Sequence, residues 1–409
     1  MKQAKTGVWL IGALGSVAAT VILGATALRR GLVSSTGLIT YTKEFDKLGL
    51  VDIGEMEFGG CDIRKGDLLK SLRLLSGECK AIDRRTLDTL EKDLEQTGKY
   101  ISSGSIRNCG QAIEGLSNIA DNNCKCLRDE IKEIRGAIQR FRDEKNLDRV
   151  VVVNLASTEP LLDLTYCHGD LNGFENSLDE NDTSSVRAST LYAYAAIQEG
   201  CPYINFTPSN GALIPAIVQL AELKGVPVMG NDGKTGETLI KSALAPMFAY
   251  RALDILSWQG YNILGNMDGQ VLNHPENRES KIRSKDQTLS KILGYTPHSR
   301  VGIDYVPSLG DQKTAWDFIH FRGFMGATMS LQFIWQGYDS ILAAPLVLDM
   351  VRLAEFAKRR GEAGLMPQLA VFFKSPVGVN EHRLSEQYHM LKNYVKEVNK
   401  NPEKLKMIK

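Results

Sequence analysis

The hydrophobic pattern opens on Val8–Ile11, a continuous apolar run, followed by Gly12-Ala-Leu-Gly15-Ser-Val-Ala18 and a small-residue apolar stretch ending at Leu28. A short unbroken run bounded by glycine predicts a buried parallel strand. The glycine turn and the small residues after it predict a helix lying close against that strand. By hydropathy alone, Gly7 to Leu28 also fits a membrane anchor or an uncleaved signal, with Lys2 and Lys5 before it and Arg29-Arg30 after. Gly12, Gly15, Ser16, Thr20, Gly24 and Thr26 interrupt it, so strand, turn and helix are the better expectation. Residues 64–145 are charged and read as mostly helical. Leu127, Ile131, Ile134, Ile138 and Phe141 keep the spacing of one buried helix face.

Arg149–Asn154 is a β-branched run of the central-strand type, and it opens into the polar turn Leu155-Ala-Ser-Thr-Glu-Pro160. The same grammar then repeats: helix Ser189–Glu199, strand Tyr203–Phe206, loop Thr207–Gly211, helix to Lys224, strand Val226–Met229. Alternating βαβ units predict an α/β, Rossmann-like domain over 1–229. From Arg251 to Gln336 the rhythm changes to long strand-like stretches such as Val301–Val306 and Met329–Trp335. This predicts an inserted β-rich domain over 230–338. Residues 339–409, with a helix at Ile341–Arg359, a strand at Leu369–Phe373 and a helix at Leu384–Asn399, are expected to return to the first domain.

Composition narrows the function. The 409 residues are 43% hydrophobic, enough for a sizeable core, and 49 basic side chains stand against 48 acidic ones. That balance provides no field for nucleic acid or an acidic membrane surface, so an anionic substrate must be held by local charge. Seven cysteines is an odd number. Cys124 and Cys126 form C-x-C with no histidine pair to complete a metal set, so inert thiols in a reducing, cytoplasmic setting are expected. With six histidines and no metal spacing, lysine is the natural acid–base group.

Candidate chemistry lies in a few segments. Gly230-Asn-Asp232-Gly233-Lys234-Thr235-Gly236-Glu237-Thr238 follows a strand and precedes a helix, a setting suited to a phosphate monoester. Its GKT suggests a P-loop, but Val228 stands where that loop needs glycine. Glu279-Ser-Lys281-Ile-Arg-Ser-Lys285 puts two lysines one helical turn apart, which by itself is an ordinary solvated face. Lys374, at the end of an apolar run, needs a carboxylate or a substrate oxygen as partner.

Taken in order, these segments resemble the inositol-3-phosphate synthase (myo-inositol-1-phosphate synthase) family over nearly the whole chain. The resemblance rests on Ala156-Ser-Thr-Glu159, Glu199-Gly-Cys-Pro-Tyr-Ile-Asn205, Thr207-Pro-Ser-Asn210 and Gly230–Gly236. It continues through Tyr261-Asn-Ile-Leu-Gly-Asn-Met-Asp-Gly269, Ser280-Lys-Ile-Arg-Ser-Lys285, Gly310-Asp-Gln-Lys313 and Asp339-Ser-Ile-Leu-Ala-Ala-Pro345. The short form is most similar to the archaeal and bacterial branch. Departures are the glycine loop, GWGGNNG in eukaryotic members, Glu237 where many have glutamine, and Met267 where many have asparagine.

The resemblance implies NAD-dependent cyclisation of glucose 6-phosphate in a cytoplasmic homo-oligomer, typically a tetramer, with no nucleic-acid partner and no membrane. It implies Lys281 and Lys374 at the C5 oxygen and Lys313 at the C1 oxygen. Asp232, Asp268 and Asp339 would orient these lysines. Lys285, Thr235, Gly236, Glu237 and Thr238 would hold the phosphate. Cofactor contacts would come from Gly12, Ala13, Leu14, Gly15, Ser16, Val17, Asp62, Ser157, Thr158, Asn210, Asp232 and Asp311. Some members, notably archaeal ones, use a divalent cation, but this sequence offers no obvious metal nest. Two other classes fit parts of the pattern: a sugar-phosphate dehydrogenase with net hydride transfer, and a membrane-tethered NAD-binding protein.

Overall fold

The structure, a computed structural model, describes residues 4–119 and 125–400, and the side chains of residues 280–287 lie outside the described set. The first sheet comprises β1 (Thr6–Ile11), β2 (Glu57–Asp62), β3 (Ile101–Ser103), β4 (Arg149–Asn154), β5 (Tyr203–Asn205) and β6 (Pro227–Gly230). A second contains β7 (Asp254–Leu264), β8 (His298–Tyr305), β9 (Gln312–Arg322) and β10 (Thr328–Tyr338). The short β11 (Gly364–Leu365) returns to the edge of the first. Its strand order is β11-β6-β5-β4-β1-β2-β3, and every pairing is parallel. The chain leaves β1 toward β3 and then returns on the other side to β4. The order therefore reverses between β1 and β4, and a crevice opens at their C-terminal ends.

The helices are α1 (Ser16–Arg29), α2 (Leu68–Glu78), α3 (Arg84–Gly98), α4 (Gln111–Glu114), α5 (Leu127–Lys145), α6 (Leu171–Asp179), α7 (Ala188–Gln198) and α8 (Pro215–Leu223). They continue with α9 (Gly236–Tyr250), α10 (Met267–Leu272), α11 (Pro275–Leu293), α12 (Asp339–Arg359) and α13 (Leu384–Lys400). One face of the large sheet is covered by α1, α2, α3 and α12, whose apolar side chains merge into one core with Val8, Leu10, Val151 and Val153. The alternate side chains Trp9, Ile11, Val150 and Val152 meet α5, α7 and α8 on the other face. Both faces are thus buried, which is why β1 and β4 read as unbroken apolar runs. The segment suspected of spanning a membrane is strand, turn and helix. Val21 and Ile22 of α1 are fully buried, each such side chain contributing about 2 kcal/mol. Among the described residues, no helix is long and apolar enough to cross a membrane.

The second sheet is mixed, in the order β10-β9-β7-β8, with β8 parallel to β7 and the other pairings antiparallel. Ala245 and Phe248 of α9 and Leu289 of α11 pack with Ile255, Trp258 and Ile319 on its inner face. The β9–β10 hairpin pairs Lys313 with Gly337 and Gln312 with Tyr338, so Lys313 lies beside Asp339 at the start of α12.

Two linked expectations need correction. Leu369–Phe373 is not a strand: Pro367–Phe372 is a 3-10 helix with proline in its first turn, where the missing N–H costs no hydrogen bond. Leu369, Ala370 and Phe372 are buried from that helix, and Lys374 therefore follows a helical turn rather than ending a strand. The region 64–145 is mostly helical as expected, and within it β3 extends the sheet beyond β2, a strand the apolar pattern left unassigned. In β2 only Phe58 and Cys61 are apolar in the usual sense, and Gly59 and Gly60 hide the period.

Candidate active site

The glycine turn after β1 sits at the switch point. The amides of Gly12 and Ala13 both donate to the Cys61 carbonyl at 2.9 and 3.0 Å, and that of Gly15 to the Gly12 carbonyl at 2.9 Å. Gly12 has φ +79, and a Cβ there would stand 3.1 Å from the Leu155 oxygen, so only glycine lets the turn approach the β4 loop. Ser16 opens α1, whose first-turn amides have no partner within the helix. A cavity runs along this turn, lined by Gly12, Leu14, Gly15, Ser16, Asp62 and Ser157. Asp62, at the end of β2, takes the Leu14 amide on one oxygen at 2.8 Å and the Arg64 amide on the other at 2.8 Å. It thereby ties the turn to the neighbouring strand. Glu159 also lines the cavity. It accepts the Ser189 amide at 2.9 Å at the start of α7, and burial pushes its carboxyl up to about 7.

A second cavity continues from the first, sharing Gly15, Ser16, Ala156, Ser157 and Met267. Its polar wall contains Asp232, Thr235, Asp268, Lys313, Asp339 and Lys374. Two of these come from a short ribbon in which the loop after β6 runs antiparallel to the segment after the 3-10 helix. Asn231 and Ser375 exchange backbone bonds at 2.9 and 3.2 Å, and the Lys374 amide donates to the Asp232 carbonyl at 2.7 Å. That pairing brings the Lys374 ammonium 2.7 Å from the Asp232 carboxylate, both buried. From the other side, Lys313 Nζ stands 3.8 Å from Asp339, which also accepts the Thr235 hydroxyl at 3.3 Å. A Cβ on Gly236 would lie 3.9 Å from Lys313 Nζ, so bare backbone faces this lysine.

Val17 and Thr158 line the second cavity as well, and Ala13 is buried beneath the glycine turn. Besides Ala13, the expected site residues Asn210, Gly236, Glu237, Thr238 and Asp311 line neither cavity. Asn210 directs its amide to Leu162, accepting from the backbone N–H and donating to the C=O at 2.9 Å each, and so staples a loop. Glu237 faces the second sheet, 2.5 Å from Lys241 and accepting from Asn262 at 2.6 Å. Thr238 is buried beside it. Asp311 lies beneath Asp339 and accepts the Ser340 hydroxyl at 2.5 Å; burial pushes it up to about 6. The side chains of Lys281 and Lys285 are outside the described residues, although the backbone places both on α11. Sequence reasoning passed over Lys234, a buried neighbour of the Lys374 pair, whose only signal was its place in the rejected GKT. Among the described residues, no three His, Cys, Asp or Glu side chains converge on a metal-binding point.

A parallel sheet with a glycine turn at its switch point, opening onto a cleft of lysine–carboxylate pairs, defines a dinucleotide-dependent α/β enzyme. The chain belongs to the myo-inositol-1-phosphate synthase family, whose description matches residues 6–396. It is 32% identical to inositol-3-phosphate synthase 1 of Bacteroides thetaiotaomicron, over 95% of this chain and 94% of that protein. It is 35% identical to inositol-3-phosphate synthase of Trypanosoma brucei brucei, over 80% of this chain and 64% of that one. The crystal structure of inositol-3-phosphate synthase from Caenorhabditis elegans superposes with a TM-score of 0.88 at 25% identity, covering 97% of this chain and 86% of that one. A myo-inositol-1-phosphate synthase-related protein from Thermotoga maritima shares the fold, with a TM-score of 0.77 at 24% identity, covering 95% of this chain and 98% of that chain.

The cofactor is NAD, and the first cavity suits it: free amides and bare glycine backbone for the pyrophosphate, and a wall shared with the lysine cleft. Gly15 has φ −72 and ψ 157, a conformation open to any residue, and its own Cβ would meet only the Gly12 oxygen at 3.1 Å. Gly15→Val is therefore expected to fold but to fill space the cofactor needs. Each 1.4 kcal/mol of clash weakens binding about tenfold, so at least that loss is expected in an NAD titration. Unchanged NAD affinity in a folded Gly15→Val protein would mean that the pyrophosphate lies elsewhere.

Proposed function

We propose that the second cavity converts D-glucose 6-phosphate to 1D-myo-inositol 3-phosphate by C5 oxidation, enolisation, aldol closure between C6 and C1, and re-reduction. The chain is an isomerase, and the observation that carries the reading is the Lys374–Asp232 pair. It is buried on the wall of a cleft that opens directly into the nucleotide cavity. Bound NAD would accept the hydride of C5 and give it back there in the last step. Lys374, in its neutral form, takes the proton from the C5 hydroxyl. Asp232 favours the resulting ammonium, which keeps the proton until the carbonyl is reduced again. The ketone acidifies C6; the proton lost there is matched by the one gained at the C1 oxygen, on which ring closure places negative charge. Lys313, backed by Asp339, is the cation within reach of such an oxygen.

Lys281 is assigned beside Lys374 at the C5 oxygen, and Lys285 with Thr235 and Gly236 at the phosphate, on the family resemblance. Asp268, in the first turn of α10, is assigned to orienting these lysines. Residues 230–338 serve as the inserted domain, and its outer face supports assembly into a homotetramer. There Ile334, Trp316 and Tyr261 form one cross-strand row, 67%, 39% and 36% exposed. The described cysteines are all free, which supports a cytoplasmic setting.

The hydride removed from C5 returns to C5. Incubation with glucose 6-phosphate and NAD is therefore expected to give inositol phosphate in the phosphorus NMR spectrum, with flat absorbance from NADH. Stoichiometric NADH, or a keto sugar as final product, would instead assign a net dehydrogenase.

A further inference from the structure

Trp335, near the end of β10, carries an indole Nε1 that is buried and has no hydrogen-bond partner among the described residues. A buried tryptophan N–H ordinarily finds an acceptor, because a donor left dry loses its bond to water and gains none in return. Two other tryptophans of the same sheet follow that rule. Trp258 donates to Asp317 at 2.7 Å and Trp316 to Gln332 at 3.3 Å. The place of the Trp335 donor is informative. A Cβ on Gly236 would lie 3.7 Å from Trp335 Nε1 and 3.9 Å from Lys313 Nζ, so two nitrogen donors border the one spot that this glycine leaves open. Gly236 is the first residue of α9, and Thr235 before it makes no side-chain cap. The first-turn amides of α9 have no partner within the helix and add to the same electropositive corner.

We propose that the Trp335 indole N–H is a binding donor for the phosphate of the sugar substrate, closing from the second sheet the site that Thr235 and Gly236 open at the start of α9. The inference rests on the phosphate position given above. The chemistry of ring closure fits it. C6 carries the phosphate and forms the new bond to C1, so the phosphate ester oxygen and the C1 oxygen end on neighbouring carbons. A lysine that reaches the C1 oxygen must then stand next to the phosphate, as Lys313 stands next to Gly236 and Trp335. Indole can only donate, so it selects an acceptor, and it gives a phosphate oxygen a directed bond without adding another charge beside Lys313.

Trp335→Phe keeps an aromatic ring and removes the donor. Its KM for glucose 6-phosphate is expected to rise about tenfold, as is the inhibition constant of inorganic phosphate, because a hydrogen bond to a charged group contributes at least about that factor. NAD affinity and kcat should change little, since the bond is already made in the ground state. A second readout needs no turnover. In NAD-loaded protein with isotopically labelled indole nitrogens, inorganic phosphate should shift one indole N–H signal, the one missing from Trp335→Phe, and glucose should not shift it. The wild-type titration stands by itself should the variant fail to fold. An unmoved signal, an unchanged KM, or a loss confined to kcat would overturn the proposal. Thr235→Val and Lys285→Ala separate it from the reading beneath it. Unchanged KM in both would move the phosphate elsewhere, whereas raised KM in both beside a wild-type KM in Trp335→Phe would remove Trp335 alone.

Discussion

Lys374→Ala is expected to lose at least about a hundredfold in turnover while still binding NAD, because a positioned acid–base group contributes about a hundred- to ten-thousand-fold. The side chain is 4% exposed and stands 2.7 Å from Asp232, with its backbone fixed by the ribbon. Removing it leaves the nucleotide cavity intact, since Lys374 lines only the second cavity. Arginine should not rescue it: a guanidinium stays charged and cannot accept the proton. Lys281→Ala is expected to behave likewise. Lys285→Ala should mainly raise KM, because a phosphate contact is felt in the ground state as well as in the transition state. His274→Ala and His320→Ala are the controls. His274 precedes α11, His320 lies in β9, and neither lines the cleft. Near-wild-type turnover in Lys374→Ala, or collapse confined to the histidine variants, would place the chemistry on other residues.

What the sequence made legible follows from how each element is stabilised. β1 and β4 are buried on both faces, so their apolar runs announce them; β4 coincides with its expected span of Arg149–Asn154. Helix α5 is amphipathic, and Leu127, Ile131, Ile138 and Phe141 are its buried face. β2 is held by backbone pairing on both sides and carries two glycines, so its side chains give little period to read. The stretch Leu369–Phe373 misleads because a short apolar run has no period of its own, and Pro367 decides for a helical turn.

The site divides in the same way. Asp232 beside Gly233 and Lys374 after Phe372-Phe373 stand out as charges, Lys313 and Asp339 stand in motifs shared with the family, and all four share one cleft. Whether Glu237 faces a ligand or a neighbouring strand is a matter of helix rotation at Gly236, where φ is +55, and spacing along the chain does not encode it. Its partners include Lys241, one turn along the same helix, and Asn262 of β7, and Lys241 in turn stands 3.9 Å from Asp317 of β9, a grouping that forms only once the second sheet has packed on α9. Asn210 belongs to a motif shared with the family, but its amide is consumed by Leu162, a loop contact invisible in one dimension.

The second large effect is expected far from the lysines. Glu130→Ala should destabilise the fold by about 3–5 kcal/mol, the usual cost of removing one partner from a buried ion pair. Glu130 is 1% exposed and Arg107 2%. Arg107 Nε and Nη2 both reach Glu130 Oε2, at 3.0 and 2.9 Å, and the Ser105 hydroxyl donates to the other oxygen. Alanine would remove the carboxylate that takes both of these guanidinium bonds, and the loss is a large part of a typical folding free energy of about 5–15 kcal/mol. Ser105 and Cys109 flank Arg107 and line the nucleotide cavity, so NAD affinity should weaken in the same variant. Glu130→Gln keeps an acceptor for Ser105 and should cost less than alanine. The double variant Arg107→Met/Glu130→Leu removes both charges together, and it should recover much of the loss because the desolvation of both ions goes with the pair. Urea unfolding midpoints for the three variants, read beside NAD titrations, decide the matter. If Glu130→Ala unfolds within about 1 kcal/mol of wild type, or the double variant is no more stable than the single, the pair is not what holds this wall of the cavity.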